Sequence, residues 1–93
     1  MSRLTKDEID KNLSKLNNWI VEGEKIARQL QFNDFAEALA FVNKVGAEAE
    51  NVNHHPDILI HSWNKVKITI STHSEGGITK KDFQLAEKIE GIK

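Results

Sequence analysis

The sequence predicts an α+β fold: a four-stranded antiparallel sheet with three helices on one face, in the order α-β-β-α-β-β-α. Three observations lead there. Apolar residues recur at steps of three and four over one long stretch, 34–52. Residues 65–72 alternate apolar and polar side chains, as a strand covered on one face does. Strand-like runs come in pairs around the helices rather than alternating singly with them, which favours antiparallel pairing.

The elements follow in order. "TKDEIDKNLSKL" opens with a capping box: Thr5 as N-cap and Glu8 three residues on, each able to satisfy a free backbone N–H of the other. Ile9, Leu13 and Leu16 then mark a helix over 6–16. "NNWIVEGEKIARQLQF" reads as two strands around Glu22-Gly23-Glu24. In the second of them Arg28 interrupts a face formed by Ile26, Leu30 and Phe32, as in a partly exposed strand. Asn33 is the expected cap of the long helix, 34–52. Its stripe is Phe35, Ala38, Leu39, Val42, Val45, Gly46, Ala49 and Val52, and it spans roughly 28 Å, enough to cross a small sheet. Pro56 disfavours helical geometry at His55, so the helix should end near Asn53 or His54. "DILIHS" and "KVKITIST" are the next strands, with Val66, Ile68 and Ile70 on one face of the latter. After "SEGG", Thr79 and Asp82 form a second capping box before a helix over 80–90, with Phe83, Ala86 and Ile89 inward.

Ninety-three residues, read as one domain over 1–93, allow only a modest core, so oligomerisation is a natural source of stability. Thirteen basic and 14 acidic residues give a formal net charge of −1, against a domain built to grip phosphate backbones. There is no cysteine, which excludes disulfides, thiolate metal sites and cysteine nucleophiles. The N-terminus has no apolar signal core, and no apolar run approaches the ~20 residues that span a bilayer. The expectation is a soluble cytoplasmic protein with no membrane partner and no direct nucleic-acid partner.

Chemistry concentrates in the histidines. His54 and His55 stand side by side before the sole proline. Neighbouring side chains diverge in a helix or a strand, but across a helix-to-extended switch they can converge on one cleft. Glu50 lies one turn before His54, so its carboxylate can accept a proton from one imidazole nitrogen and fix the tautomer; the alternative is a surface pair worth about 0–1 kcal/mol. His73 ends the fourth strand, just before the Gly76-Gly77 turn, with the parity of Thr69 and Ser71, a place from which side chains reach a site. His61 has no partner in sequence and reads as structural or solvent-facing. No His-x-x-x-His or carboxylate–histidine ligand motif supports a metal. No Gly-x-Ser-x-Gly or phosphate loop supports a nucleophile or nucleotide site. What remains is acid–base chemistry by histidines, without metal or cofactor.

These residues carry a family resemblance. "AENVNHHPD", "WNKVKITISTHSEGGIT" and "KDFQLAEKIE" resemble the pterin-4a-carbinolamine dehydratases, and Trp19, Ile26, Phe32, Phe35, Ala38, Phe41, Val42 and Val45 extend the likeness through the N-terminal half. The resemblance implies the same fold. It implies removal of water from 4a-hydroxytetrahydropterin to give quinonoid dihydropterin, without metal or cofactor, in tetrahydrobiopterin-type recycling. The family's histidine trio falls on His54, His55 and His73, and its helical glutamate on Glu50. The pterin-binding positions fall on Asn53, His54, His55 and the strip Ser71, Thr72, His73, Ser74, where Ser74 replaces a commonly acidic residue. The resemblance also implies a homodimer or homotetramer and a functional link to an aromatic amino acid hydroxylase. Two other roles remain open: a partner that stabilises the dimerisation of a transcription factor, through an apolar helix face near Phe41 or on the last helix, and a pterin-binding module without turnover.

Overall fold

A computed structural model describes residues 2–92. The elements are α1 (Lys6–Leu13), β1 (Ile20–Glu22), β2 (Lys25–Gln31), α2 (Phe35–Val52), β3 (Asp57–His61), β4 (Lys65–Ile70), a 3-10 turn (His73–Glu75) and α3 (Lys80–Glu90). The four strands form one antiparallel sheet in the order β1-β2-β4-β3. The expected order α-β-β-α-β-β-α is the observed one.

The register explains where the core sits. Val66, Ile68 and Ile70 of β4 are fully buried and face the helices. Their partners in β2 are Leu30, Arg28 and Ile26, and in β3 Ile60 and Ile58 complete the same face. The helices close the layer with Ala38, Val45 and Ala49 from α2 and Phe83, Leu85, Ala86 and Ile89 from α3. These apolar faces leave water together, which is the main stabilisation of the layer.

The register also sets the position of the site. Asp57, at the start of β3, pairs with Thr69 near the end of β4. Lys25, which opens β2, precedes the pair Ile26–Ile70. The segment entering β3, with His54 and His55, and the segment leaving β4, with Ser71 to His73, therefore meet at one end of the sheet.

Four expectations need correction. The first helix ends at Leu13, not at residue 16: the Ser14 hydroxyl donates to the Lys11 carbonyl at 2.6 Å, and Lys15 and Leu16 continue only as a tighter turn. Leu16 still packs on the core. The cap of α2 is Asp34, whose carboxylate accepts the Glu37 N–H at 2.8 Å, while the Asn33 N–H donates to the Glu37 carboxylate. β2 is partly exposed, as expected, with Gln29 and Gln31 in solvent, but Arg28 is not the residue that exposes it. Arg28 points into the helix-covered face and pairs with Glu90 of α3, which also accepts the Trp19 indole N–H at 2.6 Å, while Ile26 beside it is fully buried. Of the long-helix stripe, Phe35 and Leu39 stay 46% and 42% exposed. Phe41, by contrast, is half-buried against Phe32, with ring centroids 5.1 Å apart, so the exposed apolar face of α2 is not the one expected around Phe41.

Candidate active site

The site begins where α2 stops. Asn53 takes the left-handed conformation, φ 52 and ψ 44, and the His54 N–H reaches back to the Ala49 carbonyl at 3.1 Å. This is a Schellman termination, and asparagine is one of the few residues that accepts the left-handed position readily. Asn53 is thus the hinge that turns the chain, and Pro56 keeps it extended. The two imidazoles leave this turn in different directions.

His54 goes inward. Its Nε2 lies 2.6 Å from Asp82 Oδ1, with only 12% of the side chain exposed and none of Asp82. Asp82 Oδ2 accepts the Thr72 hydroxyl at 3.0 Å and the Thr79 N–H at 2.8 Å. Thr72 and Thr79 share a further hydrogen bond of 2.8 Å, and Thr79 Oγ1 accepts the Lys81 N–H. One proton arrangement satisfies all of these. Thr79 O–H donates to Thr72, Thr72 O–H donates to Asp82, and Asp82, as a carboxylate, accepts from the His54 Nε2–H. In that arrangement Nδ1 is the nitrogen of His54 outside the network.

His55 goes outward. Its Nε2 meets Glu50 Oε2 as an exposed pair. The expected pairing of Glu50 with His54 is therefore corrected. Counting four residues along a helix fails here because the helix ends at Val52 and the left-handed turn at Asn53 swings the next side chain off its face. Asp82 is the partner that sequence reasoning missed. It stood in plain view three residues after the N-cap of a capping box, and that role is real, but its other oxygen reaches 28 residues back along the chain.

His73 opens the 3-10 turn and is exposed, so the strand parity expected for it does not apply: β4 stops at Ile70. The Thr72–Gly77 bridge closes this turn, with Thr72 N–H to Gly77 O at 2.9 Å. Ser71 and His73 line a cleft of about 180 Å³ together with Glu24, Lys25 and Gly76. Thr72 is 6% exposed, and its hydroxyl is committed to the Asp82 network rather than to solvent. Ser74 and Asn53 are exposed. His54 and His55 do not line this cleft; His54 approaches the strip from the helix layer, through Asp82. His61 lies at the far end of β3, bonded to Ser62, away from the other three. Among the described residues no three metal-ligating side chains gather at one point.

Comparisons with known proteins identify the family. The family described as Pterin 4 alpha carbinolamine dehydratase matches residues 2–92. The chain belongs to this family. A pterin-4-alpha-carbinolamine dehydratase of Nostoc sp., so named by provisional assignment, is 50% identical over 93 residues, covering 99% of each chain. One from Sulfurisphaera tokodaii, named in the same way, is 44% identical over 92 residues, covering 99% of this chain and 98% of its own. Among solved structures, a transcriptional coactivator/pterin dehydratase from Brucella melitensis superposes with a TM-score of 0.89 at 37% identity, covering 97% of both chains. A pterin dehydratase-like RuBisCO assembly factor of the alpha-carboxysome shares the fold at a TM-score of 0.66 and 20% identity, covering 81% of this chain and 88% of its own. Of the three stretches that carry the resemblance, 49–57, 63–79 and 81–90, each supplies a member of the hydrogen-bonded chain at this end of the sheet: His54, then Thr72 and Thr79, then Asp82.

Proposed function

We propose that this protein removes water from a 4a-hydroxytetrahydropterin, giving the quinonoid dihydropterin, by acid–base catalysis at His54 and His73 with His55 positioning the ring. The observation that carries this reading is the buried carboxylate of Asp82, which ties His54 to Thr72 and so to the strip ending in His73. The family membership supports the substrate class.

The chemistry asks for little beyond placed protons. Hydroxide is a poor leaving group, so the 4a-oxygen must receive a proton as the C–O bond breaks. The electron pair of N5 forms the new C=N bond, and the N5 proton leaves to a base. Water departs and no net proton is consumed. A histidine on each side of the C4a–N5 bond can do both, a contribution of about 10²–10⁴-fold. Asp82 acts through His54: it holds the ring in one tautomer, with Nδ1 as the exchanging atom. Glu50 does the same for His55 at the exposed rim. The pterin lies along Ser71, His73 and Ser74, and the cycle it serves is the recycling of a tetrahydropterin cofactor used by a hydroxylase.

Steady-state dehydration of the carbinolamine, generated in situ, tests the assignment. His54→Ala and His73→Ala should each lower kcat about 10²-fold or more. Near wild-type turnover in both would overturn it.

A further inference from the structure

The turn that carries His73 has two limbs, and different parts of the molecule hold them. The limb leaving β4 is fixed from inside, where the Thr72 hydroxyl is tied to Asp82 and Thr79. The returning limb is Gly76-Gly77, two residues with no side chain to pack. Two bonds join the limbs: Thr72 N–H to the Gly77 carbonyl at 2.9 Å, and Gly77 N–H to the Thr72 carbonyl at 3.3 Å. The N-terminal segment lies on the returning limb. The Leu4 N–H donates to the Ile78 carbonyl at 2.8 Å. The Arg3 stem covers Gly77: a Cβ there would stand 2.7 Å from Arg3 Cδ and 3.5 Å from Cγ, and its three nearest neighbours would all be Arg3 atoms. Gly76 has φ 69, but Gly77 is not left-handed, so at Gly77 the bare backbone serves this close approach. The Arg3 guanidinium stands 3.6 Å from Glu24, which lines the His73 cleft together with Gly77.

Resting on the dehydratase reading, we infer that Arg3 is a positioning residue for His73: its stem, laid on Gly77, holds the returning limb of the turn and with it the place of the imidazole in the cleft. Proton transfer is sensitive to placement, and an error of about 1 Å can cost on the order of 10²-fold in rate. The fold itself does not depend on this contact. The Arg3 and Glu24 side chains are 57% and 71% exposed, and such a pair adds little to global stability. The ion pair orients the head group, while the stem makes the contact that reaches the turn. Arg3 thus orders one turn without carrying the domain.

Steady-state dehydration by Arg3→Ala, Gly77→Ala and the double variant, on the full chain, tests this as a cycle. The methyl group of Gly77→Ala pushes the flexible stem aside, so it should do what Arg3→Ala does. Each single variant should lower kcat about fivefold with KM within about twofold, and the double variant should be no worse than either alone. Arg3→Lys keeps the stem and should bring kcat back to within about twofold of wild type. Tm should stay within about 5 °C in Arg3→Ala and Arg3→Lys. Additive losses in the double variant, a raised KM at unchanged kcat, full activity in Arg3→Ala, or no recovery in Arg3→Lys would each overturn the assignment. Amide hydrogen exchange separates this inference from the reading it rests on. Arg3→Ala should speed exchange at Thr72 and Gly77 about tenfold and leave Val66 and Ile68 of β4 unchanged. If wild type dehydrates no carbinolamine, the proposed reaction falls, but Arg3 still stands as the residue that orders the His73 turn if exchange responds in this way. Unchanged exchange at Thr72 and Gly77 overturns that role whatever the kinetics.

Discussion

The chain writes one motif twice, and only one copy belongs to the site. At α1, Thr5 accepts the Glu8 N–H and Glu8 accepts the Thr5 N–H at 2.9 Å, entirely at the surface. At α3, Thr79 and Asp82 form the same reciprocal box, but both are fully buried. A surface box satisfies two backbone donors and stops there. A buried box must satisfy every remaining lone pair and hydroxyl as well, because unpaired polar groups out of water are costly. Those leftover valences are what recruit Thr72 and His54. Burial converts a helix-start signal into the anchor of His54, the histidine proposed to exchange a proton.

The largest break in this comparison is Asp82→Ala. It strands the His54 Nε2–H, the Thr72 hydroxyl and the Thr79 N–H in the interior, an expected loss of about 3 kcal/mol. For a domain of this size that is a fall in Tm on the order of 10–20 °C, readable by calorimetry. Asp82→Asn isolates the catalytic part. The amide can still accept from Thr72 and Thr79 through its oxygen, but it turns an N–H toward His54, whose tautomer must switch. The variant should stay folded, lose at least about tenfold in kcat, and show an altered pH–rate profile. An unchanged profile at wild-type kcat would mean that Asp82 is only a cap.

Next in size is the pair of threonines. Thr79→Ala removes the hydroxyl that accepts the Lys81 N–H and bonds Thr72, so about 2 kcal/mol should go, with partial rescue by Thr79→Ser. Thr5→Ala removes one exposed cap and should cost about 1 kcal/mol or less, with turnover untouched. Chemical denaturation of both variants reads the difference. Equal losses would mean that burial adds nothing to the motif, and the contrast between α1 and α3 would collapse.

Much of this architecture is legible in the chain because it is local. The helix break before Pro56, the alternation of β4 and both capping boxes each lie within a few consecutive residues, and the structure has all of them. Two of the misses, Arg28 and Asp82, share one physical cause, a partner far away in sequence, while the end of α1, the cap of α2 and the partner of Glu50 turn on local geometry at the helix ends. Arg28 looks like an interruption until Glu90, 62 residues on, arrives to pair with it. Glu50 looks like the partner of His54 only while the helix is imagined to continue; the left-handed Asn53 hands it to His55 instead. Asp82 reads as a cap because its Thr79 contact spans three residues, while its contact to His54 spans 28. A hydrogen-bond acceptor has more valences than a local motif uses, and the sequence alone does not say where the others go.

The smallest expected effect lies in the exposed box and concerns pH. The Thr5 backbone N–H donates to the Glu8 carboxylate, the main reason its pKa sits below the ordinary 4.5, with the Thr5 side chain adding to this. A carboxyl whose folded pKa is depressed stabilises the fold above the unfolded value, and that contribution is lost as pH falls through the folded value. Glu8→Gln keeps an acceptor for the Thr5 N–H but does not titrate. The gap in Tm between wild type and this variant should therefore be constant at neutral pH and shrink as the pH drops below 4.5. A gap that holds steady or widens in acid would show that the surface box works through shape alone, without charge. That result would sharpen the contrast with α3, where the carboxylate must act as an acceptor to three donors at once.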